Sequence, residues 1–124
     1  MKEVMAFIRT NKVNATKKAL GDAGFPSFNC RPCLGRGKKQ VDPALIKYVL
    51  DTGELPAQQV GESATESYRL IAKRFFSLIV EDDHVDTVVK VIITANQTGN
   101  PGDGKIFIAP VIETYKVRTG ETTL

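Results

Sequence analysis

The sequence predicts an α+β fold, with one antiparallel four-stranded sheet carrying two helices on one face. Three observations lead there. Short apolar runs at 2–9, 27–35, 73–80 and 105–111 have the length and bounding residues of strands, and two segments between them carry apolar residues at helical spacing. The resulting order is strand, helix, strand, long loop, strand, helix, strand, which is the split βαβ or ferredoxin-like arrangement.

The first run is rich in apolar types (Val4, Met5, Ala6, Phe7, Ile8) and suits a buried strand. From Asn14 to Ala23 there is no proline and Gly24 supplies a stop, so a short helix is expected, with Val13, Lys17 and Leu20 along one stripe. The second strand, 27–35, is entered after Pro26 and left at Gly35. From Gly37 to about Ile71 the recurrence of Pro43, Gly53, Pro56 and Gly61 breaks any regular element, giving a long loop. Lys73 to Val80 is a continuous apolar run flanked by charge and reads as a central strand. Asp82 or Asp83 is expected to cap a helix whose Val85, Val88, Val89, Ile92 and Ile93 recur three and four residues apart, ending at Gly99. Lys105–Val111 is the fourth strand, and Thr114–Arg118 is expected as a short fifth.

Composition is that of one soluble domain, 1–124: 42% hydrophobic, 25% charged, mean hydropathy −0.14. At this size a core supports itself without disulfides. The opening MKEVMAFIRTNK lacks a secretory pattern and no apolar run has the length of a membrane span, so a cytoplasmic chain without membrane contact is expected. Seventeen Lys and Arg against fourteen Asp and Glu leave +3, too little to indicate a nucleic-acid partner. The sheet's open face, rich in Val, Ile and Phe, needs a cover, and copies of the same chain would supply one.

Chemistry concentrates in Thr98–Lys105. Gly99, Gly102 and Gly104 allow backbone amides to turn into one concavity, and Lys105 adds a cation, as in a phosphate cradle. The spacing also satisfies Gly-x-x-x-x-Gly-Lys. A P-loop is nevertheless excluded, because Ile106 stands where Mg2+ needs a hydroxyl and the loop runs from helix to strand. A purely structural turn is the plain alternative. Gly35-Arg36-Gly37-Lys38-Lys39 repeats the pairing of glycines with cations, and Lys116 and Arg118 alternate on the expected last strand. Cys30-Arg-Pro-Cys33 lies in an extended segment, where positions three apart stand ~10 Å apart, too far for a disulfide. With His84 the only histidine, no zinc set forms and no metal site is expected. In the long loop, Leu45, Ile46, Tyr48, Val49 and Leu50 form an apolar stretch suited to a protein partner, unless it packs back as a short helix.

These residues resemble the PII nitrogen-regulatory signal proteins across nearly the whole chain. The match runs through KVNATKKALGDAGFPS, the GRG turn, VEDDHVDTVVKVIITANQTGNPGDGKIF and the closing KVRTGE, and it is most similar to the paralogues of archaeal nitrogen-fixation operons. The resemblance implies a trimer, or a mixed oligomer with a paralogous PII subunit, holding ATP or ADP in clefts between subunits, Mg2+ being compatible with bound ATP. It implies that Gly102, Asp103, Gly104, Lys105, Lys116 and Arg118 hold phosphates, with Gly35, Gly37 and Lys38 opposite and Phe7 and Ile79 near the base. Lys73 matches a lysine that in the family helps bind 2-oxoglutarate. The family's Mg2+-ligating Gln is replaced by Lys39, with Gln40 one step on and Val41 where Gly is usual. Either Gln40 serves after a shift of register, or a paralogous subunit senses 2-oxoglutarate. The loop's modified tyrosine motif is missing, so uridylylation is carried over to neither Tyr48 nor Tyr68. The implied function is non-enzymatic regulation of nitrogen fixation, with the loop, about 37–72, docking on nitrogenase. The rival readings are a small phosphate-transfer or hydrolytic enzyme with Asp103 as base, and a single-stranded RNA binder using Phe75 and Phe76.

Overall fold

The computed structural model describes residues 1–37, 47, 50–53 and 70–124. Lys38, Lys39, Gln40, Leu45, Ile46, Tyr48 and Val49 therefore lie outside the described residues. Met1–Cys33 and Ala72–Leu124 form one compact unit, and Leu34–Ile71 a second.

Strands β1 (Lys2–Arg9), β2 (Asn29–Gly35), β3 (Ile71–Val80) and β4 (Lys105–Pro110) alternate with helices α1 (Val13–Asp22) and α2 (Val85–Asn96). The sheet order is β2-β3-β1-β4. β1 lies antiparallel to both neighbours, Phe7 opposite Phe75 on one side and Lys105 on the other. The expected ferredoxin-like arrangement is thus present, each βαβ crossover skipping one strand. Pro32, which cannot donate to a ladder, falls on the outer strand β2, where it does least harm.

Period-two alternation divides β1 cleanly. Val4, Ala6 and Ile8 are buried beneath the helices with Phe76, Leu78 and Val80 of β3. Leu20 of α1 and Val85, Val88 and Ile92 of α2 close the core from above. Phe28 stacks on the fully buried Phe76 with ring centroids 4.3 Å apart. Burying a side chain of that size contributes roughly 1.5–3 kcal/mol. The helices are also joined by a polar contact: the buried Asn96 donates from Nδ2 to Thr16 Oγ1 at 2.9 Å and to the Ile92 carbonyl at 2.9 Å.

Several expectations need correction. The inward stripe of α1 is the buried Thr16 and Leu20 with the partly buried Val13, while Lys17 is exposed, because Thr16 finds partners in the Lys12 carbonyl and Asn96 and so tolerates burial. Neither Asp82 nor Asp83 caps α2: with His84 they form a 3-10 turn, and Asp82 pairs with the terminal amine of Met1 at 3.0 Å. α2 ends at Asn96, since Gln97 is already extended, and Gly99 turns with φ +84° beyond it. The 37–71 region contains helical residues at Lys47 and Leu50–Thr52, followed by Gly53 at φ +68°. Residues 114–118 form no strand. A strand needs a ladder partner, and this segment instead folds on itself, Lys116 N donating to the Glu121 carbonyl and Gly120 N to the Lys116 carbonyl.

The face of the sheet away from the helices carries a row of aromatics. Phe7 stands edge to face with Phe75 at 5.2 Å and Phe107 at 6.1 Å, and the Arg31 guanidinium lies 4.6 Å from the Phe75 ring centre. Phe75 is therefore not in the core with Phe76. Its side chain belongs to this open face, as alternation requires.

Candidate functional site

Residues opposite one another on antiparallel strands point to the same face. The register therefore sets Arg9 beside Lys73, and Phe7 beside Lys105, at one end of the open face. Three cations from three strands surround Phe7 there. The loop Thr98–Gly104, which links α2 to β4, lies against this corner.

Asp103 folds the loop. Its carboxylate accepts from the Thr98 amide at 2.8 Å, the Thr98 hydroxyl and the Gly99 amide at 2.9 Å, and Thr98 Oγ1 also accepts from Asn100 N. Arg9 Nη1 completes the set at 2.6 Å. The Thr98 hydroxyl, with the Thr98 amide, Arg9 and the Gly99 amide, holds the Asp103 carboxyl far below the usual carboxylate range. Arg9 Nη2 also donates to the Pro101 carbonyl at 3.0 Å, and Lys73 Nζ to the Gly102 carbonyl at 2.7 Å. Partial burial and the neighbouring Arg9 push the Lys73 ammonium below the ordinary lysine value.

Two glycines are required by close approach. At Gly102, φ +99°, a Cβ would come within 3.1 Å of Arg9 Nη2 and 3.6 Å of Lys73 Nζ. Gly104, φ +102°, lies against the backbone of β1. The amides of Gly102, Asp103 and Gly104 enter none of the bonds above. A groove of about 440 Å³ opens beside Asp103 and Gly104 between α2 and the β1–β4 edge, lined among others by Phe7, Ile92, Asn96, Gly104 and Lys105.

The structure thus gathers Phe7, Lys73, Gly102, Asp103, Gly104 and Lys105. It does not bring Ile79 to them: Ile79 faces Glu3, four residues along β1 from Phe7, about 13 Å at the usual strand rise. Lys116 and Arg118 do not alternate on a strand. They sit in the C-terminal turn, Lys116 facing Glu121 at 3.5 Å, and β4 leaves the sheet beside Lys2, at the opposite end from Lys105. Gly35 and Gly37 belong to the second unit, as does the exposed Leu50. Cys30 and Cys33 are free thiols on β2, Cys30 exposed and Cys33 half-buried. No helix among the described residues is long and apolar enough to cross a membrane.

Sequence reasoning missed Arg9 and Thr98. A signal for the first existed, because Glu3, Met5, Phe7 and Arg9 share one parity on β1. Thr98 and Asp103 were likewise legible as a side-chain-to-backbone turn, since short polar residues around glycines bond locally to the chain.

A ferredoxin-like sheet with a glycine-rich, cation-flanked loop at one corner of its open face defines a small α+β domain with a candidate anion-binding corner. The chain belongs to the P-II family: the model for nitrogen regulatory protein P-II matches residues 1–121. It is similar to "Nitrogen fixation nifHD region GlnB-like protein 2" of Methanothermococcus thermolithotrophicus, at 43% identity over 98% of this chain and 94% of that protein. Its identity to "Nitrogen regulatory protein P-II 2" of Methanothermobacter thermautotrophicus is 37% over 98% of this chain and 93% of that protein. Among solved structures it resembles Arabidopsis thaliana PII bound to citrate, with a TM-score of 0.70 and 24% identity over 98% of this chain and 84% of the other, a likeness of fold.

Proposed function

We propose that this chain is a sensor without catalytic activity, which binds ATP or ADP and 2-oxoglutarate and regulates nitrogen fixation through its long loop, about 37–72. One observation carries the reading: Asp103 and Arg9 hold Thr98–Lys105 in a defined turn, and its Asp103, Gly104 and Lys105 line a groove. Rigid amides next to an ammonium group favour a polyphosphate. Lys73, half-buried beside Arg9, suits a carboxylate effector. The archaeal relative's name supplies the nitrogen-fixation context, and nitrogenase is the target this reading assigns.

Ile79 and the basic pair Lys116 and Arg118 stand away from the corner around Phe7, so one nucleotide meets both sets where two copies adjoin. Trimeric packing, a property of the family, serves this purpose and also covers Phe107, Ile112 and Val117, all exposed in the single chain. A mixed oligomer with a paralogous subunit satisfies the same geometry. Lys39 is no Mg2+ ligand, so 2-oxoglutarate either recruits Gln40 or is read by that paralogue. Ligands act on the loop only through different contacts in its two states, and Lys38, Lys39 and Lys73 at its ends supply such contacts.

Calorimetric titration with ATP, ADP and 2-oxoglutarate, separately and together, tests the reading. Lys105→Ala should weaken ATP binding at least tenfold, about 1.4 kcal/mol. Unchanged affinity would count against the phosphate role. The hydrolytic alternative needs Asp103 as a base, yet its carboxylate is already engaged by four donors. Steady ATP turnover abolished by Asp103→Asn would reverse that judgement.

A further inference from the structure

Arg9 closes β1 and reaches across to the loop with both arms of its guanidinium. Nη1 meets Asp103 Oδ1 at 2.6 Å and Nη2 the Pro101 carbonyl at 3.0 Å. The two acceptors lie on either side of Gly102, where a Cβ would come within 3.1 Å of Nη2. The guanidinium thus straddles Gly102, and the same carboxylate that gathers the Thr98 and Gly99 amides is tied by it to the sheet. Such a grip needs a planar fork of donors, which a lysine ammonium, a single point charge, does not reproduce.

We propose that Arg9 is the positioning residue of the phosphate loop: it acts through Asp103 and Pro101 to hold the loop in its binding shape and does not itself touch the phosphates. This rests on the nucleotide reading given under Proposed function. A loop with glycines at 99, 102 and 104 has much backbone freedom to lose on binding a ligand. Ordering it beforehand raises affinity without adding a contact, which is the effect of preorganisation. A phosphate arriving at Arg9 would have to displace a carboxylate already paired at 2.6 Å.

The test uses the full chain with Arg9→Met, Arg9→Lys, Asp103→Asn and the Arg9→Met/Asp103→Asn double variant, after thermal unfolding has shown each to be folded. Two quantities are read: amide hydrogen exchange at Thr98 and Gly99 without nucleotide, and ATP affinity by calorimetry. Arg9→Met is expected to speed exchange at both amides about tenfold and to weaken ATP by a similar factor. Arg9→Lys should restore only part of either effect, and the double variant should bind ATP no worse than the weaker single variant. Unchanged exchange in Arg9→Met would overturn the proposal. So would losses that multiply in the double variant together with full rescue of ATP affinity by Arg9→Lys, the mark of direct phosphate contact. A wild-type chain that binds neither ATP nor ADP overturns the nucleotide reading instead, and is told apart because the exchange measurement uses no nucleotide.

Discussion

A Cβ placed on Gly104 would collide with the carbonyl oxygen of Phe7, and the backbone there has φ +102°. The obstacle is main chain at the last pair of the β1–β4 ladder, so no side-chain rotation relieves it. Either the loop lifts away or the pairing of Phe7 with Lys105 opens. Gly104→Ala is therefore expected to cost about 2 kcal/mol or more. Thermal denaturation should show a midpoint lower by roughly 5–10 °C. Gly99, whose Cβ would meet open space, gives a control in which only the positive φ is penalised. Equal midpoints for Gly104→Ala and Gly99→Ala would mean that the loop does not sit on β1 in solution.

The contact between α1 and α2 invites a second substitution. Thr16 Oγ1 accepts from Asn96 Nδ2 and donates to the Lys12 carbonyl, in a site where Thr16 is 0% and Asn96 4% exposed. Asn96 Oδ1 already lacks a partner among the described residues. Thr16→Val keeps the shape and removes the acceptor, leaving Asn96 Nδ2 with the Ile92 carbonyl alone. A loss of about 1–2 kcal/mol follows from the newly unsatisfied donor, measurable by denaturant unfolding. A valine variant as stable as the parent would show that the bridge contributes nothing net.

Much of this fold could be read from periodicity. The alternation of Val4, Ala6 and Ile8 and the three- and four-residue spacing of Val85, Val88 and Ile92 are direct consequences of which face meets the core. Failures came where a non-local partner decides the outcome. Lys17 and Thr16 both fall three or four positions from Val13 and Leu20, and Asn96, eighty positions away, supplies the hydrogen bond that lets Thr16 be buried. Residues 114–118 have strand-like composition, but ladder pairing is a property of two segments, and among the described residues none pairs with this one. At the site, glycine spacing and Lys105 located the loop. The local turn of Asp103 with Thr98 lay within reach of the sequence, but its tie to Arg9 did not, because the two are 94 positions apart.

The docking role proposed for the long loop leads to a deletion. Removing Asp42–Glu66 takes away Leu45, Ile46, Tyr48, Val49 and Leu50 but spares β2, β3 and every residue around Phe7. Assembly and ATP binding should persist, by light scattering and calorimetry, while regulation of the target is lost. A deletion variant that still regulates its target would remove the loop from the mechanism.

The last prediction concerns acid. Asp103 is held ionised by the Thr98 hydroxyl and amide, by Arg9 and by the Gly99 amide, so its folded-state value lies below the ordinary 3.8. For a depressed carboxylate, the stabilising contribution is complete above the unfolded-state value and disappears as pH falls through the folded-state one. The loop should therefore be indifferent to pH between about pH 7 and about pH 5, where Asp103 is charged in both states. Its Thr98 and Gly99 amide resonances should shift only at acidity well beyond that of a free aspartate. In Arg9→Met one of the groups favouring the charged form is gone, and the transition should move toward higher pH. Asp103→Asn should abolish it. Amide NMR titration of the three proteins decides the matter, and a wild-type midpoint at the ordinary aspartate value would show that Thr98, Arg9 and Gly99 do not converge on this carboxylate.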